Sequence, residues 1–276
     1  MQGAPEKRAA PRTRMYASKR FEEQRSRWGS IGNQEARVMN AGFFHIVTFV
    51  RTFYFLLYWM QTVYEENRRC EVFAMPFFAY GQREIDYLKK KDKKLGAAIE
   101  AIGFIERETK PDVFTAMVDS IISQQISSKA ADTVLERLGN LLGDITAEKI
   151  AACDEEHIQK CGMTTKKACY IKSMAAKVLS GELDLDELAS LPDDAVIKKL
   201  VTLDGIGVWT AEMLLLFSLG RPDVVSYGDL AIRRGMMNLY GLKALPKKKF
   251  DYYRRRYSPY GSVASLYLWR LAAQKL

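Results

Sequence analysis

The chain has 276 residues, a hydrophobic content of 48% and a charged content of 27%. This composition suffices for one large or two small packed domains, and it excludes an intrinsically disordered chain. The formal net charge of +9 favours an anionic partner, either nucleic acid or an acidic membrane surface, although a merely basic soluble protein is compatible with the same charge.

The cysteines and histidines show no metal-binding pattern. No two cysteines form a C-x-x-C pair, and the last three are spaced by eight residues, which is neither an iron–sulfur spacing nor a disulfide framework. We therefore expect reduced thiols in a cytoplasmic protein. The four cysteines are Cys70, Cys153, Cys161 and Cys169.

Residues 1–74 differ in composition from the rest and are predicted to be an atypical N-terminal extension. Within them, Ala41–Val63 is strongly apolar and approaches the length of a bilayer span, but Arg51 interrupts it, so membrane association is not expected. Three interpretations stay open for this run: a packed helix or strand pair, a weak membrane segment, or an extension upstream of the true start. The first and third are favoured, because Met75 opens a segment typical of a natural beginning.

Residues 75–276 are predicted to be one all-α domain. From residue 82 onward apolar residues recur at spacings of three and four, as in Phe114, Met117 and Ile121, and no run alternates with period two. Glycines and prolines divide this region into eight or more short helices. Thr146 and Ser180 are expected to begin two of them.

The stretch Leu200–Leu215, LVTLDGIGVWTAEMLL, contains two glycines between helical patterns. Glycine permits positive φ and close approach of another backbone. A helix is expected to begin just after Gly207, so its free N–H groups would form an anion site suited to a phosphodiester. An ordinary helix–helix turn has the same local pattern, so the two glycines alone leave DNA binding open.

Asp229 stands about twenty residues after this turn, in VVSYGDLAIRRG, and precedes an amphipathic helix. Aspartate is a preferred N-cap, which stabilises a helix by ~1 kcal/mol. Capping is the default interpretation from the local sequence. Capping is compatible with a chemical role for the same side chain, because a capping carboxylate at a cleft is held rigidly by backbone donors.

The motifs LDGIGVWTA and DLAIRR together resemble those of the helix-hairpin-helix (HhH-GPD) DNA glycosylase superfamily, and in particular its 3-methyladenine DNA glycosylase II group. The resemblance covers roughly residues 78–271 and departs from the usual hairpin at Asp204, where proline is commoner. It implies a two-lobed helical domain with a DNA cleft between the lobes. It also implies base excision repair of alkylated purines such as 3-methyladenine.

By this resemblance Asp229 is the catalytic carboxylate, which stabilises an oxocarbenium-like sugar as the N-glycosidic bond breaks. Bifunctional relatives carry a nucleophilic lysine where this chain has Trp209. We therefore expect a monofunctional enzyme that leaves an abasic site and has no β-lyase activity. Two other functions stay open: a non-enzymatic helix-hairpin-helix DNA-binding module, and a glycosylase for deaminated or oxidised bases.

The resemblance also assigns the residues that would contact DNA. An aromatic pocket would stack a flipped, electron-poor base; its candidates are Trp209, Trp269, Met213 and, more weakly, Tyr80 and Tyr267. Gln125 is the candidate wedge that fills the space left by the flipped nucleotide. The predicted phosphate contacts are Gly205, Gly207, Thr210, Ser127 and Lys129.

The hairpin carbonyls of Val201, Leu203 and Ile206 are implied to hold a structural monovalent cation, Na⁺ or K⁺. No organic cofactor and no catalytic metal are implied. The expected partner is double-stranded DNA that contains a damaged base. The protein is expected to act as a monomer without an obligate protein partner, in the cytoplasm and associated with DNA.

Overall fold

In a computed structural model of the chain, residues 77–273 are described, and they form thirteen helices and no strand. A single isolated bridge pairs Phe77 with Glu108 within this range. The prediction of an all-α domain is therefore confirmed. The helices are α1 (Gln82–Lys91), α2 (Lys93–Ile102), α3 (Val113–Ser123), α4 (Ser128–Leu142), α5 (Ala147–Ala152), α6 (Glu155–Lys160), α7 (Thr165–Leu179), α8 (Leu185–Leu188), α9 (Asp193–Leu200), α10 (Val208–Phe217), α11 (Leu230–Tyr240), α12 (Lys247–Tyr257) and α13 (Gly261–Ala273).

Two predictions lie outside the described residues. These are the domain boundary at residues 74 and 75 and the apolar run Ala41–Val63. Within the described part of the chain, no helix is long and apolar enough to cross a membrane.

Short polar side chains cap most of the helices at their N-termini. The predicted start at Thr146 is confirmed, because its hydroxyl accepts the Lys149 N–H at 3.4 Å. The predicted start at Ser180 is wrong. Ser180 follows the last residue of α7, and Gly181 then takes a φ of +76°, which breaks the helix. The next helix begins later, where the Asp184 carboxylate accepts two backbone N–H groups.

The helices form two lobes, as the sequence predicts. The first lobe contains α1 and α2 together with α11–α13, and the second contains α3–α10. The chain therefore forms α1 and α2 of the first lobe, then the whole second lobe, and then α11–α13 of the first lobe. In the first lobe α11 packs closely on α13 at Gly235, which has no side chain. A Cβ there would lie only 1.9 Å from the Leu268 carbonyl oxygen. In the second, the apolar face of α3 is fully buried.

A buried polar network joins three helices of the first lobe. The Tyr240 hydroxyl donates to Oδ2 of Asp92 at 2.6 Å, and Nη1 of Arg256 donates to the same oxygen at 3.1 Å. Burial opposes ionisation of Asp92, but the hydrogen bonds from Tyr240, the Leu95 N–H and Arg256 outweigh it, so the pKa of Asp92 is lowered. The network fixes the start of α2 against α11 and α12.

Candidate active site

A cavity with a volume of about 620 Å³ lies between the two lobes of the described structure. Helices α2 and α13 and the start of α11 line it from the first lobe, and α3 and α10 line it from the second. The loop between α2 and α3 closes one side. Four of the predicted site residues line this cavity together: Trp209, Met213, Asp229 and Trp269.

Asp229 is buried, with 7% of its surface exposed, and three N–H groups donate to its carboxylate. Its Oδ1 atom accepts the Ile232 backbone N–H at 2.8 Å, so the residue caps α11. The same oxygen accepts from Nε1 of Trp269 at 3.2 Å, and Oδ2 accepts from Nε1 of Trp209 at 2.9 Å. Capping and a place in the cavity thus coincide in one rigidly oriented carboxylate.

This arrangement is the opposite of what a simple DNA-binding module predicts. In such a module Asp229 would point away from any pocket, and the two tryptophans would be buried apart. Instead, Trp209 and Trp269 both donate to Asp229, and all three residues line one cavity.

The aromatic wall of the cavity contains rings that sequence reasoning missed. The ring of Phe217 stacks on that of Trp269, with centroids 5.6 Å apart, and the Arg107 guanidinium lies 4.8 Å from the Phe217 centroid. Phe217 follows Trp209 and Met213 at intervals of four on α10. Because residues four apart share a helix face, this spacing could have revealed Phe217.

Tyr80 and Tyr267 do not line the cavity, which corrects their predicted place. The Tyr80 hydroxyl donates to the Ile105 carbonyl at 2.6 Å and accepts the Ile105 N–H at 2.9 Å. Tyr267 is fully buried and donates to the Gly103 carbonyl at 3.0 Å. Both tyrosines therefore support the loop between α2 and α3 from behind, because a buried phenol needs a partner for its hydroxyl.

Charged side chains surround the mouth of the cavity. Lys110 forms an ion pair with Asp119, and its backbone N–H donates to the Phe217 carbonyl at 2.9 Å. The charged side chains that line the cavity are of both signs, four acidic and three basic. The charged lining residues are Glu106, Glu108, Asp119, Asp229, Arg107, Lys110 and Arg270.

A second carboxyl lies behind Asp229. The buried Ser226 hydroxyl donates to Glu212, a residue on the same helix as Trp209. Burial raises the pKa of Glu212, and the Asp229 carboxylate raises it further, whereas the Ser226 bond and the positive charge of Arg254 oppose the shift. Sequence reasoning missed this contact, because it depends on how the segment before α11 packs on α10.

The predicted hairpin is present between α9 and α10. Gly205 adopts a φ of +82°, and a Cβ there would lie 2.7 Å from Cδ2 of Tyr170. Gly207 caps α10 in open space, with nothing within 4 Å of its Cβ position. The first internal bond of α10 runs from the Ala211 N–H to the Gly207 carbonyl. The preceding N–H groups, including that of Thr210, are therefore free of intrahelical partners.

The carbonyls of Val201, Leu203 and Ile206 differ in whether they already accept a hydrogen bond from the protein. The Leu203 carbonyl accepts the Ile206 N–H at 3.1 Å. No described N–H or side chain donates to the carbonyls of Val201 or Ile206. Oxygen atoms without a protein donor suit a hard monovalent cation, so these residues fit the ligand set that the sequence implies. Asp204 is exposed and takes no hydrogen bond from the rest of the described hairpin.

The loop after α3 carries the predicted wedge. Gln125 is exposed and adopts a φ of +59°, the only positive φ at a non-glycine position within residues 77–273. Ser127 caps α4 by accepting the Ala130 N–H at 3.3 Å, and Lys129, the second residue of the same helix, is exposed. Strained backbone of this kind persists where the surroundings hold it, and it concentrates at functional sites.

A two-lobed helical domain with a carboxylate in the cleft and a glycine hairpin beside it defines a DNA repair class. Residues 118–257 match the model of the HhH-GPD superfamily of base excision DNA repair proteins. The chain belongs to this superfamily, as the sequence motifs predict, and DNA is therefore the partner of this domain.

Curated and solved relatives agree with this assignment. The chain is 34% identical over 166 residues to DNA-3-methyladenine glycosylase 1 of Schizosaccharomyces pombe, which covers 58% of this chain and 73% of the relative. The crystal structure of a DNA-3-methyladenine glycosidase from Bacillus halodurans matches with a TM-score of 0.67 and 37% identity, over 72% of this chain and 94% of that one. A Schizosaccharomyces pombe 3-methyladenine DNA glycosylase in complex with abasic DNA matches with a TM-score of 0.61 and 29% identity, over 68% and 96% of the two chains.

Proposed function

We propose that this protein is a monofunctional DNA glycosylase that hydrolyses the N-glycosidic bond of alkylated purines, such as 3-methyladenine, and leaves an abasic site. The observation that carries the proposal is Asp229. Its carboxylate is held by Trp209, Trp269 and the Ile232 N–H inside the interlobe cavity.

The chemistry follows from the position of this carboxylate. As the base leaves, positive charge develops on the sugar, and a fixed carboxylate nearby stabilises that charge without reorganising. Burial strengthens the interaction, because the local dielectric constant is lower than that of water. In this proposal Asp229 would also orient or deprotonate the attacking water.

The lining of the cavity supports an alkylated purine as the substrate. N-alkylation gives the base a formal positive charge, which makes it a good leaving group and an electron-poor stacking partner. Trp209 and Trp269 supply electron-rich rings, and Asp229 supplies a carboxylate beside them. The relatives named above act on 3-methyladenine by name, which supports the same substrate class.

The residue at the lyase position of the family supports a hydrolytic mechanism without strand cleavage. A lyase needs an unprotonated lysine close to the sugar to form a Schiff base. By the family resemblance, the position that would carry this lysine is occupied by Trp209. We therefore expect no covalent enzyme–DNA intermediate that borohydride could trap.

Two loops would hold the duplex around the flipped nucleotide. The hairpin from Leu203 to Thr210 offers backbone N–H groups to a phosphate, and the free carbonyls of Val201 and Ile206 would hold Na⁺ or K⁺ and so rigidify the loop. Gln125 would enter the base stack as the wedge. The proposed partner is duplex DNA that contains a damaged base, on which the protein would act as a monomer.

The proposal is tested by incubating the protein with methylated duplex DNA and following released bases by chromatography. We expect the wild type to release 3-methyladenine and to leave strands intact until alkali is added. Asp229→Asn should keep the cap of α11 but lower the rate by at least about 100-fold. A matched control is Asp184→Asn, which changes another capping aspartate outside the cavity.

Two outcomes would overturn the proposal. If the wild type binds duplex DNA but releases no base, the domain is a binding module. If strands break without alkali in a preparation free of nucleases, an amine nucleophile is present and the mechanism is not hydrolytic.

A further inference from the structure

The two DNA-facing loops are joined directly to one another. Nε2 of Gln124, the residue before the wedge, donates to the Gly205 carbonyl of the hairpin at 2.7 Å. These residues are 81 positions apart in the chain. The loop after α3 and the hairpin before α10 are therefore parts of one connected surface.

A lysine side chain on α7 fixes the loop after α3 from below. Nζ of Lys167 donates to the Ile122 carbonyl at 2.8 Å and to the Gln124 carbonyl at 2.6 Å. Both carbonyls lie at the C-terminal end of α3, where a helix leaves its last oxygens without intrahelical partners. An ammonium group there also complements the negative end of the helix dipole. Lys167 is half-buried, and burial lowers its pKa.

The same face of α7 supports the hairpin. Tyr170 lies three residues after Lys167, so the two side chains share one side of the helix. The Tyr170 ring packs so closely on Gly205 that a Cβ there would lie 2.7 Å from Cδ2. The first turns of α7 thus contact both loops.

We propose that Lys167 is a positioning residue: with Tyr170 it holds Gln125 in its left-handed conformation at a fixed place relative to the phosphate-binding hairpin. Its effect falls on insertion of the wedge into the duplex, and not on bond breaking at Asp229. The inference rests on the proposed function, and specifically on Gln125 as the wedge.

The physical reason is the strain at Gln125. A non-glycine residue with a φ of +59° relaxes to an extended or helical conformation unless its neighbours prevent it. Lys167 binds the carbonyl immediately before Gln125, and that contact limits the relaxation. A wedge held in place avoids the cost of ordering the loop during base flipping.

The test compares two substrates that differ in the cost of flipping. One duplex carries a single 7-methylguanine paired with cytosine, and the other carries it opposite an abasic-site analogue, where unpairing is easier. Single-turnover excision is measured at saturating protein. We expect Lys167→Met to slow excision of the paired base by about tenfold or more, and to slow excision of the unpaired base much less. Asp229→Asn should slow both substrates equally.

Helix α7 offers a matched control at Lys172. Its Nζ donates to the carbonyls of Ala151 and Cys153, at 3.0 and 2.6 Å, at the end of α5. Lys172→Met therefore removes the same kind of contact from the same helix without touching the wedge. It should lower thermal stability by a comparable amount and leave the ratio of the two excision rates unchanged. Lys167→Arg, which keeps a cationic donor, should bring the ratio of paired to unpaired excision rates closer to the wild-type value than Lys167→Met does.

A double variant and a conservative alternative complete the test. In a Gln125→Gly background the wedge and its strain are both absent, so adding Lys167→Met should change the ratio no further. If Lys167→Met does not fold, Lys167→Gln keeps a shorter N–H donor at this position and should give the same selective loss to a smaller extent. Equal ratios for Lys167→Met and Lys172→Met would overturn the inference. Failure of the wild type on both substrates would instead overturn the proposed function.

Discussion

The indole N–H of Trp209 donates to Oδ2 of Asp229 at 2.9 Å, although the tryptophan itself is 48% exposed. One ring therefore serves two purposes, since its edge holds the carboxylate while much of its surface stays accessible to a base. The equivalent bond from Trp269 reaches the other carboxylate oxygen at 3.2 Å. In the proposed mechanism, stacking of the substrate base and orientation of Asp229 are consequently coupled.

Trp209→Phe should separate these two contributions. The variant keeps an aromatic ring in the cavity but removes the hydrogen bond, and a bond to a charged group contributes about 1.5–3 kcal/mol. We expect the single-turnover excision rate to fall by about tenfold or more while Tm changes little, because the side chain is half exposed. Trp269→Phe should cause a smaller loss of rate, because its bond to Asp229 is longer. An unchanged rate in Trp209→Phe would show that the Ile232 N–H and Trp269 suffice.

The roles of Trp209, Met213 and Asp229 come from the family resemblance. Local sequence alone predicts only that Asp229 caps a helix. Phe217 belongs to the same series as Trp209 and Met213 and was overlooked, although the spacing of four contains it.

Other parts of the site depend on tertiary contacts that no local pattern encodes. Tyr80 is a weaker pocket candidate by the resemblance, yet its hydroxyl bonds to the Ile105 backbone. In the sequence Lys167 looks like any other lysine of a solvated helix face. Only the fold shows that it binds the Ile122 carbonyl at the end of α3. The sequence thus predicts the helices, the two lobes and the carboxylate, and the structure adds the contacts between separate loops.

The two hairpin glycines should respond differently to alanine. Gly205→Ala is strained at a φ of +82° and meets the Tyr170 ring, so we expect it to lower the free energy of unfolding by about 1–3 kcal/mol. Gly207→Ala has space for its Cβ and an ordinary φ, and the loss should stay at or below about 1 kcal/mol. Urea denaturation measures both.

For DNA affinity we expect the opposite order: relative to its small effect on stability, Gly207→Ala should weaken binding more than Gly205→Ala does. Gly207 lies where the open end of α10 would meet a phosphate, so a methyl group there obstructs the approach of the backbone. We expect Gly207→Ala to weaken binding of an abasic duplex in fluorescence anisotropy while remaining folded. Unchanged affinity would place the phosphate elsewhere on the surface.

The buried Asp92 network should make stability depend on pH in one direction. The pKa of Asp92 is lowered in the folded state below its ordinary value of 3.8. Its stabilising contribution is therefore present above the unfolded-state pKa and is lost as the pH falls through the folded-state pKa. Asp92→Asn should lower the free energy of unfolding by about 1–3 kcal/mol at pH 7, because Arg256 and Tyr240 lose a charged partner.

The difference between wild type and Asp92→Asn should shrink as the pH is lowered toward 3. Urea unfolding at pH 7 and at pH 3 measures the change. Asp112→Asn is the control, because Asp112 is an exposed N-cap that accepts the Thr115 N–H without a cationic partner. A difference for Asp92→Asn that is constant with pH would show that the carboxylate is not ionised in the network.

Lys129 should contribute to affinity through charge alone. It is exposed beside the wedge loop, one residue past the first position of α4. A lysine that neutralises one phosphate releases about one counterion, so Lys129→Gln should reduce the slope of log K against log salt concentration by about one. The loss of affinity should be similar for damaged and undamaged duplexes, because phosphate contacts carry no sequence information.

The matched control for this measurement is Lys198→Gln, which removes an exposed lysine on α9 that is paired with Asp194. Its removal should leave the salt slope close to that of the wild type, because the neighbouring carboxylate already offsets its charge. Fluorescence anisotropy from 50 to 200 mM salt, at about five concentrations, resolves a change of one in the slope. If Lys129→Gln lowers affinity without changing the slope, the lysine acts by shaping the wedge loop, and the phosphate contact belongs to the hairpin alone.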